Sequence, residues 1–156
     1  MAVKIRKATI KDLDILHDMH KELIEYEFEV DPLIKKSNSY YSQAKKDYKA
    51  ALSKRNQIFF IAESNETVLG YIYGWIEKPP KCFIPNKRGY ICDAYVKPEG
   101  RRKGVGKKLT SEIIKHFSSK DVSWIKLGVY AKNVNSVKIW RKLGFEDYII
   151  EMNFKM

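Results

Sequence analysis

Residues 101–106, Arg-Arg-Lys-Gly-Val-Gly, place a run of cations and two glycines directly ahead of an apolar-periodic stretch through Val105, Leu109, Ile113, Ile114 and Phe117. A glycine turn that opens a helix offers unpaired backbone N–H groups and the positive end of the helix dipole, a ready seat for phosphate oxygens. Gly104 and Gly106 let a ligand approach the backbone closely. The spacing fits neither the dinucleotide pattern G-x-G-x-x-G nor the P-loop G-x-x-x-x-G-K-[ST], so a different phosphate-bearing ligand is called for. His17 and His20 lie three apart at helical spacing, but catalytic zinc needs a third ligand and none is signalled, so no metal is expected. Cys82 and Cys92 form no C-x-x-C pair and have no histidine beside them, which argues against a zinc site, a disulfide framework and a thiol nucleophile.

The elements that must position this loop follow from periodicity. Residues 3–8 alternate apolar and basic as a strand does, and Thr9 followed by Asp12 resembles a capping box ahead of a helix of about five turns through Leu13, Leu16, His20, Leu23 and Ile24. Asp31-Pro32 ends it, and Ser37-Asn38-Ser39 precedes a second helix through Leu52. Residues 58–63 and 68–77 read as an antiparallel pair joined by the four-residue connection Ser64-Asn65-Glu66-Thr67. Residues 90–96 are a further strand, stopped at Pro98 and followed by the glycine loop and its helix. Residues 124–130 are predicted as a strand, Asn135-Ser136 as the cap of a short helix closed by Gly144, and residues 145–154 as a last strand. The predicted order is βααβββαβαβ, an α/β (α+β) fold on a mixed sheet, with residues 1–156 forming a single domain.

On these residues the chain resembles the GNAT acetyltransferase superfamily, whose cofactor loop Arg/Gln-x-x-Gly-x-Gly/Ala follows a strand ending in Val-x-Pro. Here the segment runs Val96-Lys97-Pro98-Glu99-Gly100-Arg101-Arg102-Lys103-Gly104-Val105-Gly106. A downstream block with Asn133, Ser136, Trp140, Gly144 and Phe145 continues the likeness, with Trp140 where the family carries tyrosine. The resemblance implies a central sheet that splays between strand 90–96 and strand 124–130. It also implies acetyl-CoA as co-substrate, with pantetheine along the backbone of Ala94, Tyr95 and Val96. Pyrophosphate would meet the N–H groups from Arg101 through Arg102, Lys103, Gly104, Val105 and Gly106 to Lys107, and Asn133 and Trp140 would lie against the cofactor.

The implied reaction is direct attack of a primary amine on the thioester in a ternary complex. It needs a neutral nitrogen, a donor for the oxyanion and a proton for the departing thiolate. The family's oxyanion donor is a backbone N–H near the bulge of the cofactor strand, here expected around Tyr95 or Val96. Asp93 is the first candidate base and Glu77 the second. An indole N–H is no useful acid, so proton donation would pass to Tyr130, Tyr148 or water.

Lys and Arg number 30 against 19 Asp and Glu, a net charge of +11 that calls for a polyanionic partner. Six cations fall within residues 97–108, where a phosphorylated cofactor explains them, whereas residues 12–31 carry eight acids against Lys21 alone. The last of these acids, Glu22, Glu25, Glu27, Glu29 and Asp31, lead into the loop that walls the acceptor site in the family the chain resembles, which suggests a cationic acceptor such as a polyamine, a peptide N-terminus or lysine. A basic nucleic-acid-binding module and a non-catalytic acyl-CoA-binding domain are the competing readings; with the cations gathered on the cofactor loop, nucleic acid is not the expected partner. No segment approaches a membrane span or a signal peptide, so a cytoplasmic protein without a membrane partner is expected, with a homodimer left open.

Overall fold

The computed structural model describes residues 2–156. Strand β1 (Lys4–Lys7) leads into a 3₁₀ turn in which the Thr9 N–H donates to Asp12 Oδ2 at 2.7 Å, and helix α1 (Leu13–Phe28) follows. Helix α2 (Asn38–Ala51) starts at Ser37, whose hydroxyl accepts from the Tyr40 N–H and so satisfies one of the first-turn donors. Strands β2 (Gln57–Ser64) and β3 (Thr67–Glu77) form a hairpin whose turn is only Asn65-Glu66. Both residues have positive φ, 48° and 63°, which matches the twist of the flanking strands and lets Ser64 and Thr67 pair instead of joining the connection.

Strand β4 (Arg88–Val96), helix α3 (Val105–Ser118), strand β5 (Ile125–Leu127) and helix α4 (Val134–Lys142) complete the order. The sheet runs β1-β2-β3-β4-β5, antiparallel throughout except for the parallel β4–β5 pair. Its two faces carry separate cores. Leu16, Met19 and Leu23 of α1 and Tyr48 of α2 pack on Phe59, Tyr71, Tyr73 and Tyr95. Leu109, Ile113 and Phe117, one apolar stripe of α3, pack on Phe60, Ile72 and Ile91. Burying each such side chain contributes about 1.5–3 kcal/mol. α3 lies so close that a Cβ on Gly89 would sit 2.6 Å from the Phe117 ring.

Three expectations are corrected. β5 spans Ile125–Leu127 instead of residues 124–130. The cap of α4 is Asn133, whose side chain accepts from the Ser136 N–H at 3.1 Å, not Asn135-Ser136. Residues 145–154 form no strand: β5 stops at Leu127 and offers no ladder for a further strand, and Ile149, Ile150, Met152 and Phe154 are exposed. The mixed α/β fold therefore stands, with five strands and four α-helices among the described residues and without the final β of the predicted order.

Candidate active site

The loop between β4 and α3 is built to leave donors open. Arg102 has φ 59° and Gly104 φ 76°, and Gly104 takes the left-handed position at the start of α3 with nothing within 4 Å of where its Cβ would be. Arg101 N–H turns back to the Pro98 carbonyl and Lys108 N–H to that of Gly104. Between them the N–H groups of Arg102, Lys103, Gly104, Val105, Gly106 and Lys107 find no backbone acceptor among the described residues. Such a row at a helix start is an anion-binding concavity. Arg102, Lys103 and Lys107 are free of ion pairs among the described residues, whereas the Arg101 Nε donates to the Val96 carbonyl at 3.0 Å and its guanidinium lies over the Tyr95 ring.

β4 reaches that loop with one edge open. It pairs with β3 along its length but with β5 only from Gly89 to Ile91, so the sheet splays beyond Ile91 as expected. Lys97 N–H donates to Leu69, and the antiparallel alternation then turns Tyr95 toward β3 and leaves the N–H and C=O of Ala94 and the N–H of Val96 directed at the open edge, the Val96 carbonyl being taken by Arg101. Tyr95, expected to hold a ligand by its backbone, is instead engaged with Tyr71. The bulge of β4 is at Cys92, between Ile91 opposite Gly74 and Asp93 opposite Tyr73, and not around Tyr95 or Val96.

The bulge turns Asp93 onto the α1–α2 face. There the Tyr48 hydroxyl donates to Asp93 Oδ2 in a short hydrogen bond, and His20 Nδ1 lies 3.7 Å from the same oxygen. Having given its proton to Asp93, the Tyr48 oxygen can only accept from Tyr71 (2.9 Å) and from His20 Nδ1 (3.0 Å). His20 Nε2 is then the acceptor for the Tyr40 hydroxyl at 3.0 Å. Burial pushes His20 below the usual histidine range even beside Asp93, so the ring is neutral and this tautomer is fixed. Tyr40 leads out to an open cleft of about 480 Å³ lined also by Ile24, Glu27, Ile34 and Tyr130.

Residues 16–145 match the acetyltransferase (GNAT) family. The chain belongs to the GNAT acetyltransferases. Its fold is shared with the BH1408 protein of Bacillus halodurans, solved as a tetramutant, at TM-score 0.87 and 22% identity over 98% of this chain and 99% of that one. A predicted acetyltransferase from Clostridium acetobutylicum, solved with acetyl-CoA, superposes at TM-score 0.81 and 19% identity over 97% and 96%. AAC(6')-Iy, in complex with the bisubstrate analog CoA-S-monomethyl-acetylneamine, does so at TM-score 0.79 and 16% identity over 100% and 99%. At these identities the likeness is one of fold.

Within this GNAT fold the remaining expected site residues do not gather at one point. Glu77 pairs opposite Arg88, four β3 residues from Tyr73 and thus roughly 13 Å along the strand from Asp93's level. It takes Arg88 Nε at 2.5 Å and Trp75 Nε1 at 3.0 Å, and although burial alone would push its carboxyl up, those two donors hold it below the usual carboxylate range. Tyr130 does reach the cleft; burial and the charges of Glu27 and Asp31 push its phenol up, so it keeps its proton. Asn133 is used as the α4 cap and accepts from the Tyr26 hydroxyl at 3.3 Å. Trp140 packs edge-on against Phe145 at 5.3 Å and borders the α3-side core, while Tyr148 sits outside it against Trp124. Cys92 is no thiolate, because desolvation and the Asp93 charge push its thiol well up. The residues missed as chemistry were Tyr48 and Tyr40, whose spacing signalled only a helix face, His20, weighed only as half of a metal pair with His17, and Glu27, visible only as one acid in a run.

Proposed function

We propose that this GNAT acetyltransferase, one catalytic domain over residues 1–156, transfers the acetyl group of acetyl-CoA to a primary amine in a ternary complex. The observation that carries the reading is continuity. The open edge of β4 at Ala94 and Val96 runs directly into the row of unpaired N–H groups from Arg102 to Lys107. That arrangement fits an amide-bearing chain that ends in a pyrophosphate: a strand-like partner for the edge, then an anion for the helix start.

Acetyl-CoA supplies an activated acyl group as a thioester. Ala94 and Val96 orient the pantetheine amides, Gly104 and its neighbours take the pyrophosphate, and Arg102, Lys103 and Lys107 answer the remaining phosphate charge. The outward N–H groups of β4 beyond the bulge are the donors available to a carbonyl oxygen. A covalent route through Cys92 has no support, since its thiol is held protonated and His20 is engaged by Tyr48 and Tyr40. The Tyr130 phenol lines the cleft and is a side-chain proton donor available to a departing thiolate.

The acceptor is a cation. Glu27 lines the cleft where α1 ends, Asp31 acts on the Tyr130 that lines it too, and a helix C-terminus itself favours positive charge. The acetylneamine analog bound by AAC(6')-Iy belongs to the same broad class of polycationic amines. The test is CoA release from acetyl-CoA with polyamines, aminoglycosides, free-N-terminus peptides and lysine peptides, with the product mass measured. Turnover of at least one cationic amine with a mass gain of one acetyl group is expected. Turnover restricted to neutral or acidic acceptors would remove the cationic assignment.

A further inference from the structure

Of the acids near the end of α1, most already hold a partner. Glu22 accepts from the Tyr95 hydroxyl at 2.8 Å, Glu25 pairs with Lys36 at 2.7 Å and Asp31 accepts from the Leu33 N–H at 3.0 Å. Asp93 takes the Tyr48 hydroxyl and keeps a side chain only 14% exposed. Glu27, in the last turn of α1, lines the cleft opposite Tyr40 and Tyr130, and among the described residues no hydrogen bond or ion pair acts on its carboxylate.

We propose that Glu27 is the general base that takes the proton from the acceptor ammonium, and that Asp93 is a positioning residue acting through Tyr48 and His20. This deepens the N-acetyltransferase reading and rests on it. Geometry supplies the first argument. Glu27 reaches open space where an amine can enter, whereas Asp93 is roofed by Tyr48. The second is electrostatic. The C-terminal end of α1 and the charges of Asp93 and Asp31 draw a cation to this turn and disfavour a bare carboxylate. Burial and those two carboxylates push Glu27 up to about 7, near the optimum for a base at neutral pH. Facing it are Asp93 and Cys92 from β4, Tyr71 from β3, Tyr40 from α2, Lys35 from the segment before α2 and Tyr130 beyond β5.

The step balances without another reagent. The ammonium gives one proton to the Glu27 carboxylate; its freed lone pair forms the C–N bond as the thioester C–S bond breaks. The second nitrogen proton passes to the departing thiolate, and Glu27 returns its own proton to solvent through the open cleft. Net products are the amide, CoA thiol and one proton.

The experiment compares the parent, Glu27→Gln and Asp93→Asn with acetyl-CoA and spermidine, n-butylamine and a lysine peptide, at pH 7.5 and pH 10, with acetyl-CoA affinity measured by calorimetry. Expected is a loss of about 100- to 1000-fold in kcat/KM for Glu27→Gln at pH 7.5. The loss should shrink at pH 10, where much of the amine is already neutral, and acetyl-CoA affinity should be unchanged. Asp93→Asn should retain the acidic limb of the parent's pH profile. A Glu27→Gln enzyme within threefold of the parent at pH 7.5, or equally impaired at both pH values, overturns the assignment. A parent that acetylates none of these amines, nor any in the wider panel, overturns the N-acetyltransferase reading instead.

Discussion

Ile91 and Asp93, two residues apart on β4, point to opposite faces of the sheet: Ile91 joins the α3-side core, and Asp93 meets Tyr48 on the α1–α2 side. Residues two apart on a regular strand share a face, so the bulge at Cys92 is what separates them. The open edge begins at the same residue, because Ile91 is the last β4 residue paired with β5.

Deleting Cys92 makes Ile91 and Asp93 neighbours on a regular strand, where neighbours point to opposite faces, so Ile91 keeps the α3-side core and Asp93 stays opposite Tyr73 and beside Tyr48. The deletion removes the unpaired residue and its local kink without burying a carboxylate in the apolar core. Thermal unfolding followed by circular dichroism should show a cooperative transition for the Cys92 deletion, with Cys92→Ser near the parent. A deletion variant without a cooperative transition would show that the bulge sets more than Asp93's direction.

Tyr48 is the hub of the buried network, and Tyr48→Phe removes one hydroxyl while keeping the ring packed edge-on against Phe59 and tilted against Tyr73. Asp93 loses its donor, and Tyr71 and His20 lose their acceptor. Unsatisfied buried groups cost about 1–3 kcal/mol each, so a fall of at least that size is expected in urea denaturation. A loss below about 0.5 kcal/mol would mean that water replaces the hydroxyl.

How much of this was legible follows the range of the interactions. The cofactor loop could be read because glycines, cations and the helix start are neighbours in sequence. The splay could be anticipated from the family resemblance. The Tyr48–Asp93 and Tyr48–His20 contacts span 45 and 28 residues, and nothing local to any of the three announces them. Glu27 looked like one solvated acid among many, because its isolation depends on which neighbours α2 and β4 take up. The apolar alternation of residues 145–154 was real, but a strand also needs a ladder, and β5 ends too early to offer one.

Glu27 also carries a stability signature that needs no substrate. Its folded value of about 7 lies above the ordinary 4.5. The folded state therefore holds more protons than the unfolded one between those values, and stability is lost as pH rises through about 7. Glu27→Gln should have a higher Tm than the parent at pH 8, with the gap closing as pH falls toward 4.5. Equal Tm values at pH 8 would show that the carboxylate is solvated.

Gly104→Glu tests the anion seat. The side chain enters open space, so the fold survives apart from the strain of a positive φ, about 1 kcal/mol. Its charge then lies beside the N–H groups meant for pyrophosphate. Calorimetry should show loss of acetyl-CoA binding with a cooperative unfolding transition retained. Binding as tight as the parent's would take the loop out of the site.

Trp140 stands where the family resemblance places a tyrosine, and its variants decide whether this position acts in proton transfer. Its indole packs edge-on against Phe145 and borders the α3-side core, which is a packing environment, and an indole N–H is far too weak an acid to protonate a thiolate. The CoA thiol is already a good leaving group, with a pKa of about 8.5 by analogy with cysteine, so the missing phenol need not cost much rate. On this account Trp140→Phe raises the Kd for acetyl-CoA several-fold while kcat falls less than about threefold, because uniform binding is lost and not a transition-state contact. Trp140→Tyr keeps the affinity and raises kcat if its hydroxyl reaches the sulfur. Steady-state kinetics with cofactor affinity measured separately distinguish these outcomes. A tenfold or larger loss of kcat in Trp140→Phe at unchanged affinity would assign the indole N–H to stabilising the departing sulfur, and would end the packing account.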